Sequence, residues 1–256
     1  MTEDSLQSII TKLHFTCLKH YSNIFTDIIF VVSMDDTTNN NLLSRLEIEV
    51  CKIGFLGNLQ FKIIENNPIR REVDTFKTEI FDKLNELEGI TLFSHCKGLS
   101  NQLTEDLFYW IVSMYYFNLQ YIDNVKMYLL EYNARMFYGP SPVKLEGDPG
   151  EQAWNNKYSW VFPGTIYWMN TKRIHKYMKE NNIEYLTDNR WAAENFPGDI
   201  CPLEIKYYAH PSMYYGIDYC RWYFHSREYI KSMNDEDTVN KLNLFYDKII
   251  KLINEQ

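Results

Sequence analysis

The residues of this chain best suited to chemistry are His95, Lys97 and Gly98, which close the stretch Ile90 to Ser100, Ile-Thr-Leu-Phe-Ser-His-Cys-Lys-Gly-Leu-Ser. A lysine reaches a phosphate as a compact cation, and a glycine lets backbone approach a ligand with no Cβ in the way. Arg190 and Glu194 stand four residues apart, so on a helix they share one face. A carboxylate held beside an arginine at a pocket is a candidate base for deprotonating a hydroxyl; the alternative is an exposed ion pair. Trp160, Gly164, Thr165, Tyr167 and Trp168 fall in Trp-Val-Phe-Pro-Gly-Thr-Ile-Tyr-Trp, where aromatic rings around a strand end would make a sugar-sized slot with a flat floor. Arg70 or Arg71, near a helix start, could pair with a diphosphate, or else serve a capping and salt-bridge turn. Glu146 and Asp148 form an acidic pair that could hold a divalent cation through oxygen ligands, with a solvated turn as the alternative.

These residues must be positioned by regular elements, and the hydrophobic pattern supplies them. Asp27 to Ser33 is a β-branched run that reads as a fully buried central strand. Thr38 to Gly54 carries Leu42, Leu43, Leu46, Val50 and Ile53 at helical spacing, and Leu59 to Glu65 alternates as a second strand. Strand, helix, strand is a βαβ unit and implies parallel pairing. A charged turn leads into a helix from about Thr75 to Leu87, and the short apolar run after Gly89 reads as a third strand whose carboxyl end carries His95. Three strand-helix repeats make a mostly parallel, doubly wound α/β sheet flanked by helices the natural architecture, and ligands bind at the carboxyl edge of such sheets.

Thr104 to Tyr121 is dense in apolar and aromatic residues and reads as a buried core helix. Residues 138 to 151 hold three prolines and three glycines, and a long irregular loop of this kind is usually functional or mobile. A strand after the Pro163-Gly164 turn leads to Asn170 or Thr171, a fair N-cap for a helix running to about Asn181. Thr238 to Ile253 is an amphipathic helix that packs the tail. The first twenty residues are ambiguous, because Leu6, Ile9, Ile10 and Leu13 have helical spacing while His14 to Leu18 suits a strand equally well.

Composition narrows the function class. The chain has 256 residues, 45% hydrophobic and 23% charged, which fits one large globular domain. With 26 basic against 34 acidic residues the net charge is -8, so a broad nucleic-acid footprint is disfavoured and any phosphate-bearing ligand needs a focused site. Five cysteines are scattered without C-x-x-C spacing, which indicates neither a disulfide framework nor a zinc site. The N-terminus lacks a basic and an apolar leader region, and no run reaches the length of a membrane span, so a cytoplasmic protein is expected. No G-x-x-x-x-G-K-[ST] loop occurs, which weakens a phosphotransferase reading.

Three stretches together resemble a GT-A-like glycosyltransferase family found in large DNA viruses of algae and amoebae and in bacterial polysaccharide clusters. Asn67 with Arg71-Glu72 and Thr75-Phe76 looks like that family's Asn, Arg-Glu and Thr-Phe turn. Phe93-Ser-His-Cys-Lys-Gly looks like its aromatic-x-His-x-Lys-Gly strand end. Trp110, Met114 and Phe117, followed by Phe162-Pro-Gly-Thr-Ile-Tyr-Trp, are similar to its helix and its Phe-Ser-Gly-Asn-Phe-Trp-Trp strand, with Pro163 in place of Ser and Thr165 in place of Asn. No Asp-x-Asp follows the strand ending at Phe93. The resemblance spans roughly residues 60 to 200. It implies a GT-A-type nucleotide sandwich that takes a nucleoside-diphosphate sugar and passes the sugar to a glycan or glycoprotein hydroxyl. It further implies that Asn67, Arg71, His95, Lys97 and Gly98 bind the nucleotide sugar, that Glu194, with Asp188 in reserve, is the base where the transfer inverts, and that Trp160, Gly164, Thr165, Tyr167, Trp168 and Arg190 shape the sugar or acceptor slot. A divalent Mg or Mn ion is compatible with that chemistry without being indicated by an Asp-x-Asp. A carbohydrate-binding or scaffold module that keeps the fold without the chemistry is the rival expectation.

Overall fold

The computed structural model of the chain describes residues 8–34, 40–52, 54–67, 72–95, 104–131, 136–139, 143–144, 160–162, 166–184, 186, 192–201 and 235–255. In chain order the elements are α1 (Ile9–His20), β1 (Asp27–Met34), α2 (Asn40–Cys51), β2 (Asn58–Glu65), α3 (Glu72–Glu79), β3 (Ile90–Ser94), α4 (Glu105–Leu119) and α5 (Ile122–Lys126), which runs into a π-turn at Met127–Glu131. After it come β4 (Phe137–Tyr138), β5 (Val143–Lys144), β6 (Trp160–Val161), β7 (Ile166–Asn170), α6 (Thr171–Glu180), α7 (Ala192–Ile200) and α8 (Glu236–Asn254). The ambiguous N-terminal stretch is helical: Ser8 Oγ caps it by accepting from Ile10 N at 3.2 Å, and Ile10, Leu13 and Cys17 line its buried face. That i, i+3, i+7 pattern decides for the helix.

The expected βαβ unit forms. β1 and β2 pair in parallel over their full length, from Asp27↔Asn58 to Met34↔Glu65. Gly54 stops α2 in the left-handed region at φ 70° and donates its N–H to Cys51 O at 3.0 Å, a conformation that costs glycine nothing. β1 is not a fully buried central strand, however. Val32 and Met34 are buried against Leu42, Leu46 and Val50 of α2, while Asp27 and Ile29 are exposed. A continuous β-branched run fits a strand covered on one face as well as one covered on both, and here α2 covers one face.

The expected mostly parallel central sheet does not continue from this pair among the described residues. β3 instead lies at one side of a three-stranded antiparallel sheet ordered β3-β7-β4, with register Ile90↔Asn170 through Ser94↔Ile166. The apolar run at Ile90 signals burial, and burial carries no information about strand direction. The class is therefore mixed α/β with small sheets.

This antiparallel sheet is the centre of the described structure. Every residue of β7 is buried, and successive side chains alternate between two cores. Ile166 and Trp168 enter a cluster built by α1, α4 and α8, while Tyr167 and Met169 enter one built by Phe76 and Ile80 near α3, Ile174 and Met178 of α6, and Phe196 and Ile200 of α7. The core helix expected over Thr104 to Tyr121 is α4, started by Thr104 Oγ1 accepting from Leu107 N at 3.1 Å and by Glu105 and Asp106 at the positive end of its dipole. The cap expected at Asn170 is equally plain: Asn170 Oδ1 accepts from Arg173 N at 3.0 Å, and its Nδ2 donates to Leu129 O in the π-turn at 2.6 Å. The C-terminal helix buries Leu242, Phe245, Tyr246 and Ile249 in the cluster it shares with α1 and α4.

Candidate functional site

The pairing Ser94↔Ile166 sets the geometry of the site. β3 and β7 run in opposite directions, so the carboxyl end of β3, where His95 begins the His-Cys-Lys-Gly stretch, lies beside the amino end of β7, which the Phe-Pro-Gly-Thr stretch enters. His95 is half-buried there. Lys97, Gly98, Gly164 and Thr165 adjoin these ends in sequence and lie outside the described residues.

The two ends are fastened from behind by α4. Asn118, wholly buried, donates from Nδ2 to Ile166 O at 3.1 Å and to Met114 O at 2.9 Å, and its own carbonyl accepts from Trp168 Nε1 at 2.8 Å. Tyr115 Oη lies 3.1 Å from Ser94 Oγ and 2.8 Å from His14 Nδ1, so one phenol links β3 to α1. Buried polar groups of this kind cost free energy unless bonded, and the Asn118 amide N–H, its backbone carbonyl and the Tyr115 hydroxyl are bonded, whereas Asn118 Oδ1 has no partner among the described residues. Sequence reasoning missed Asn118, Tyr115 and His14. For Asn118 and Tyr115 the usable signal was polar atoms inside the largely apolar α4, which binary patterning discards.

A second edge lies at the carboxyl ends of the parallel pair. Ser33 Oγ donates to Asn66 Oδ1 at 3.1 Å, and Asn66 N donates to Met34 O at 2.9 Å, so the chain leaving β2 is tied back onto β1 before half-buried Asn67. Arg71 lies outside the described residues; α3 starts immediately after it. α3 connects the two sheets. Phe76 meets Phe93 of β3 edge-on with ring centroids 4.9 Å apart, and Glu79 takes ammonium contacts from Lys62 of β2 and from Lys83, the latter at 2.7 Å. Partial burial works against the Glu79 carboxylate, but the hydrogen bonds from the two lysines outweigh it and hold its pKa below the ordinary value.

The aromatic slot needs correction. Trp160, Tyr167 and Trp168 present no flat floor to solvent: all three are buried, and their polar atoms are occupied by backbone carbonyls. Trp160 Nε1 donates to Cys201 O at 2.7 Å, Tyr167 Oη to Ala193 O at 2.7 Å, and Trp168 Nε1 to Asn118 O at 2.8 Å. Aromatic spacing around a strand is shared by core and ligand slots; here the rings brace β6 and β7 against α7 and α4.

Glu194 also differs from both sequence readings. It lies in the first turn of α7 with no exposed surface, so it is neither a rim carboxylate nor half of an exposed ion pair. Burial, and after it the Glu194 charge, push the Tyr167 phenol well above its ordinary pKa, which keeps it a neutral donor to Ala193. Arg190 and Asp188 precede α7 outside the described residues, as do Glu146 and Asp148 further upstream. Among the described residues no group of three or more His, Cys, Asp or Glu could hold a metal ion, and no helix is long and apolar enough to cross a membrane.

Searches for similar proteins give no counterpart: no family model, no curated protein and no solved structure matches the chain.

Proposed function

We propose that the chain is a glycosyltransferase of GT-A-like architecture that moves a sugar from a nucleoside-diphosphate sugar to a hydroxyl of a glycan or glycoprotein acceptor. The observation that carries this reading is the Ser94↔Ile166 pairing, which brings the ends of two stretches resembling the family's strand motifs to one sheet edge. A further support is α3, whose Phe76 packs on Phe93 of β3 and whose Glu79 pairs with Lys62 of β2, so that one helix touches both sheets.

On this reading the donor's diphosphate is the leaving group, and its developing charge is met by fixed cations, Lys97 together with Arg71. His95 and Gly98 complete the cradle, and Asn67 contacts the nucleotide from the other edge. A carboxylate takes the acceptor's proton. Glu194 can do so only where the acceptor site opens onto the first turn of α7, since the residue is wholly buried; Asp188 takes the role otherwise. The same burial favours a second reading, a carbohydrate-binding or scaffold module without turnover.

The test is incubation with a panel of nucleoside-diphosphate sugars, with and without acceptor glycans. Release of nucleoside diphosphate that depends on the acceptor is the expected result. Binding of a sugar nucleotide or of an acceptor glycan without turnover selects the module, and no binding of any sugar nucleotide overturns the glycosyltransferase reading.

A further inference from the structure

An open hollow runs along α2, lined by Ser44, Glu47, Ile48, Cys51 and Lys52, whereas one buried polar chain ends at the candidate site. We propose that Tyr115 is a positioning residue for that site: through its hydroxyl the His14–Tyr115–Ser94 chain holds the carboxyl end of β3, and with it His95, in the geometry that receives the donor's diphosphate. This rests on the glycosyltransferase reading for its ligand, though not for its mechanical claim.

Tyr115 is buried on α4 within an apolar cluster that includes Leu13, Cys17, Ile111 and Leu119. Its hydroxyl nevertheless stands 2.8 Å from His14 Nδ1 and 3.1 Å from Ser94 Oγ. Three elements distant in sequence, α1, β3 and α4, thus meet at one oxygen, and the strand residue they reach is the last of β3. Ser94 is also the residue paired with Ile166, so the bond restrains both motif ends together. An apolar core gains nothing from such a chain over well-packed hydrophobic side chains, and a satisfied polar network rigidifies what it touches. Strand ends fray first, since local opening requires the fewest broken bonds there. A hydrogen bond to the terminal side chain restrains the backbone at the point where the ligand-binding stretch begins.

The same helix supplies the control. Tyr109 is as deeply buried, and its hydroxyl donates to Asn243 Oδ1 of α8 at 2.7 Å, away from β3. Tyr115→Phe and Tyr109→Phe each delete one phenolic oxygen from α4 and keep the ring. Two measurements are made on wild type and both variants: amide exchange by NMR, and calorimetric titration with UDP- and GDP-sugars. Tyr115→Phe is expected to speed exchange at Ser94, His95 and Ile166 about three- to tenfold relative to Thr91 in the same sheet, and to weaken sugar-nucleotide binding by a similar factor. Tyr109→Phe should do neither, even with an equal fall in melting temperature. Ser94→Ala should reproduce the Tyr115→Phe effects, and combining the two should add little. Equal responses in the two tyrosine variants, or a uniform rise in exchange, overturn the proposal. If the wild-type protein binds no sugar nucleotide, the glycosyltransferase reading falls, and the exchange measurement still decides whether Tyr115 fixes the strand end.

Discussion

The two described sheets that frame the candidate site are built on opposite principles. The parallel pair β1–β2 has eight registered residue pairs, yet α2 packs on one face and Ile29 and Ile63 remain about 40% exposed. The antiparallel β3–β7–β4 sheet has shorter strands, but both faces are packed, and Asn118, Trp168 and Asn170 fix β7 through side-chain to backbone hydrogen bonds. Strand length therefore does not measure rigidity here; burial on two faces and side-chain bonds to the strand's backbone do. The two-sided sheet carries the His95 edge, to which the proposed reading assigns the donor's charge, and the looser pair carries the Asn67 edge.

The largest effect expected from this contrast is on stability. Trp168→Ala should cost about 3–5 kcal/mol through lost burial and the cavity left behind, with the lost bond to Asn118 O in addition. Ile29→Ala, on the open face of β1, should cost about 1 kcal/mol or less. Denaturant unfolding of the two variants measures both, and equal costs would erase the distinction. Next in size, Asn118→Ala should cost about 1–3 kcal/mol, because it leaves Ile166 O without that donor in a buried place. A fall in stability of that size from Ser33→Ala, whose Oγ bond to Asn66 lies at the looser edge, would contradict the ranking.

The smallest expected effect is a pH dependence away from both sheets, where α1 meets α8. His20 lies against Tyr21 and Phe245, with centroids at 4.8 and 5.1 Å. Burial, followed by the nearby Lys248 charge, lowers its pKa below the ordinary 6.5. A histidine with a depressed folded pKa binds its proton more readily when unfolded, so its contribution is intact above pH about 6.5 and is lost as the pH falls through the unfolded value toward the folded one. His20→Gln should flatten that part of the stability-versus-pH curve, while melting curves of Trp168→Ala should keep it.

Much of this architecture was legible in the sequence. The βαβ unit, the buried helix at Thr104 to Tyr121, the Asn170 cap and the C-terminal helix follow from periodicity and capping chemistry, which are local. What was not legible depends on contacts between distant segments. The apolar run at Ile90 to Ser94 gave burial without direction, so the antiparallel pairing with Ile166 to Asn170 was invisible. Trp160, Tyr167 and Trp168 gave aromatic spacing without saying which way the rings face, and the spacing of Arg190 and Glu194 suited a pocket base or a surface pair without showing that α7 is buried along nearly its whole length. At the site, the sequence marked His95 and Asn67, but not Tyr115, Ser94 or Asn118, because hydroxyls and amides that brace a strand end have no spacing of their own.

Glu194 is the residue on which the catalytic account can be sharpened. As the base, Glu194→Gln should depress turnover by about 10²- to 10⁴-fold with little change in donor affinity. As a structural acid buried beside Tyr167, it should leave the turnover of the folded protein unchanged and shift only the melting temperature. Steady-state rates and a thermal melt on the one variant separate the two, and a fully active folded variant moves the role to Asp188.

The central claim, that the edge where β3 ends beside the start of β7 receives a sugar nucleotide, is tested most directly by calorimetric titration of nucleoside-diphosphate sugars into the wild-type protein and Lys97→Ala. A charge-assisted contact to phosphate is worth about 1.5–3 kcal/mol, so the account predicts a loss of affinity of roughly tenfold or more with an almost unchanged melting temperature. Equal donor affinity in the two proteins would contradict it and place the nucleotide elsewhere.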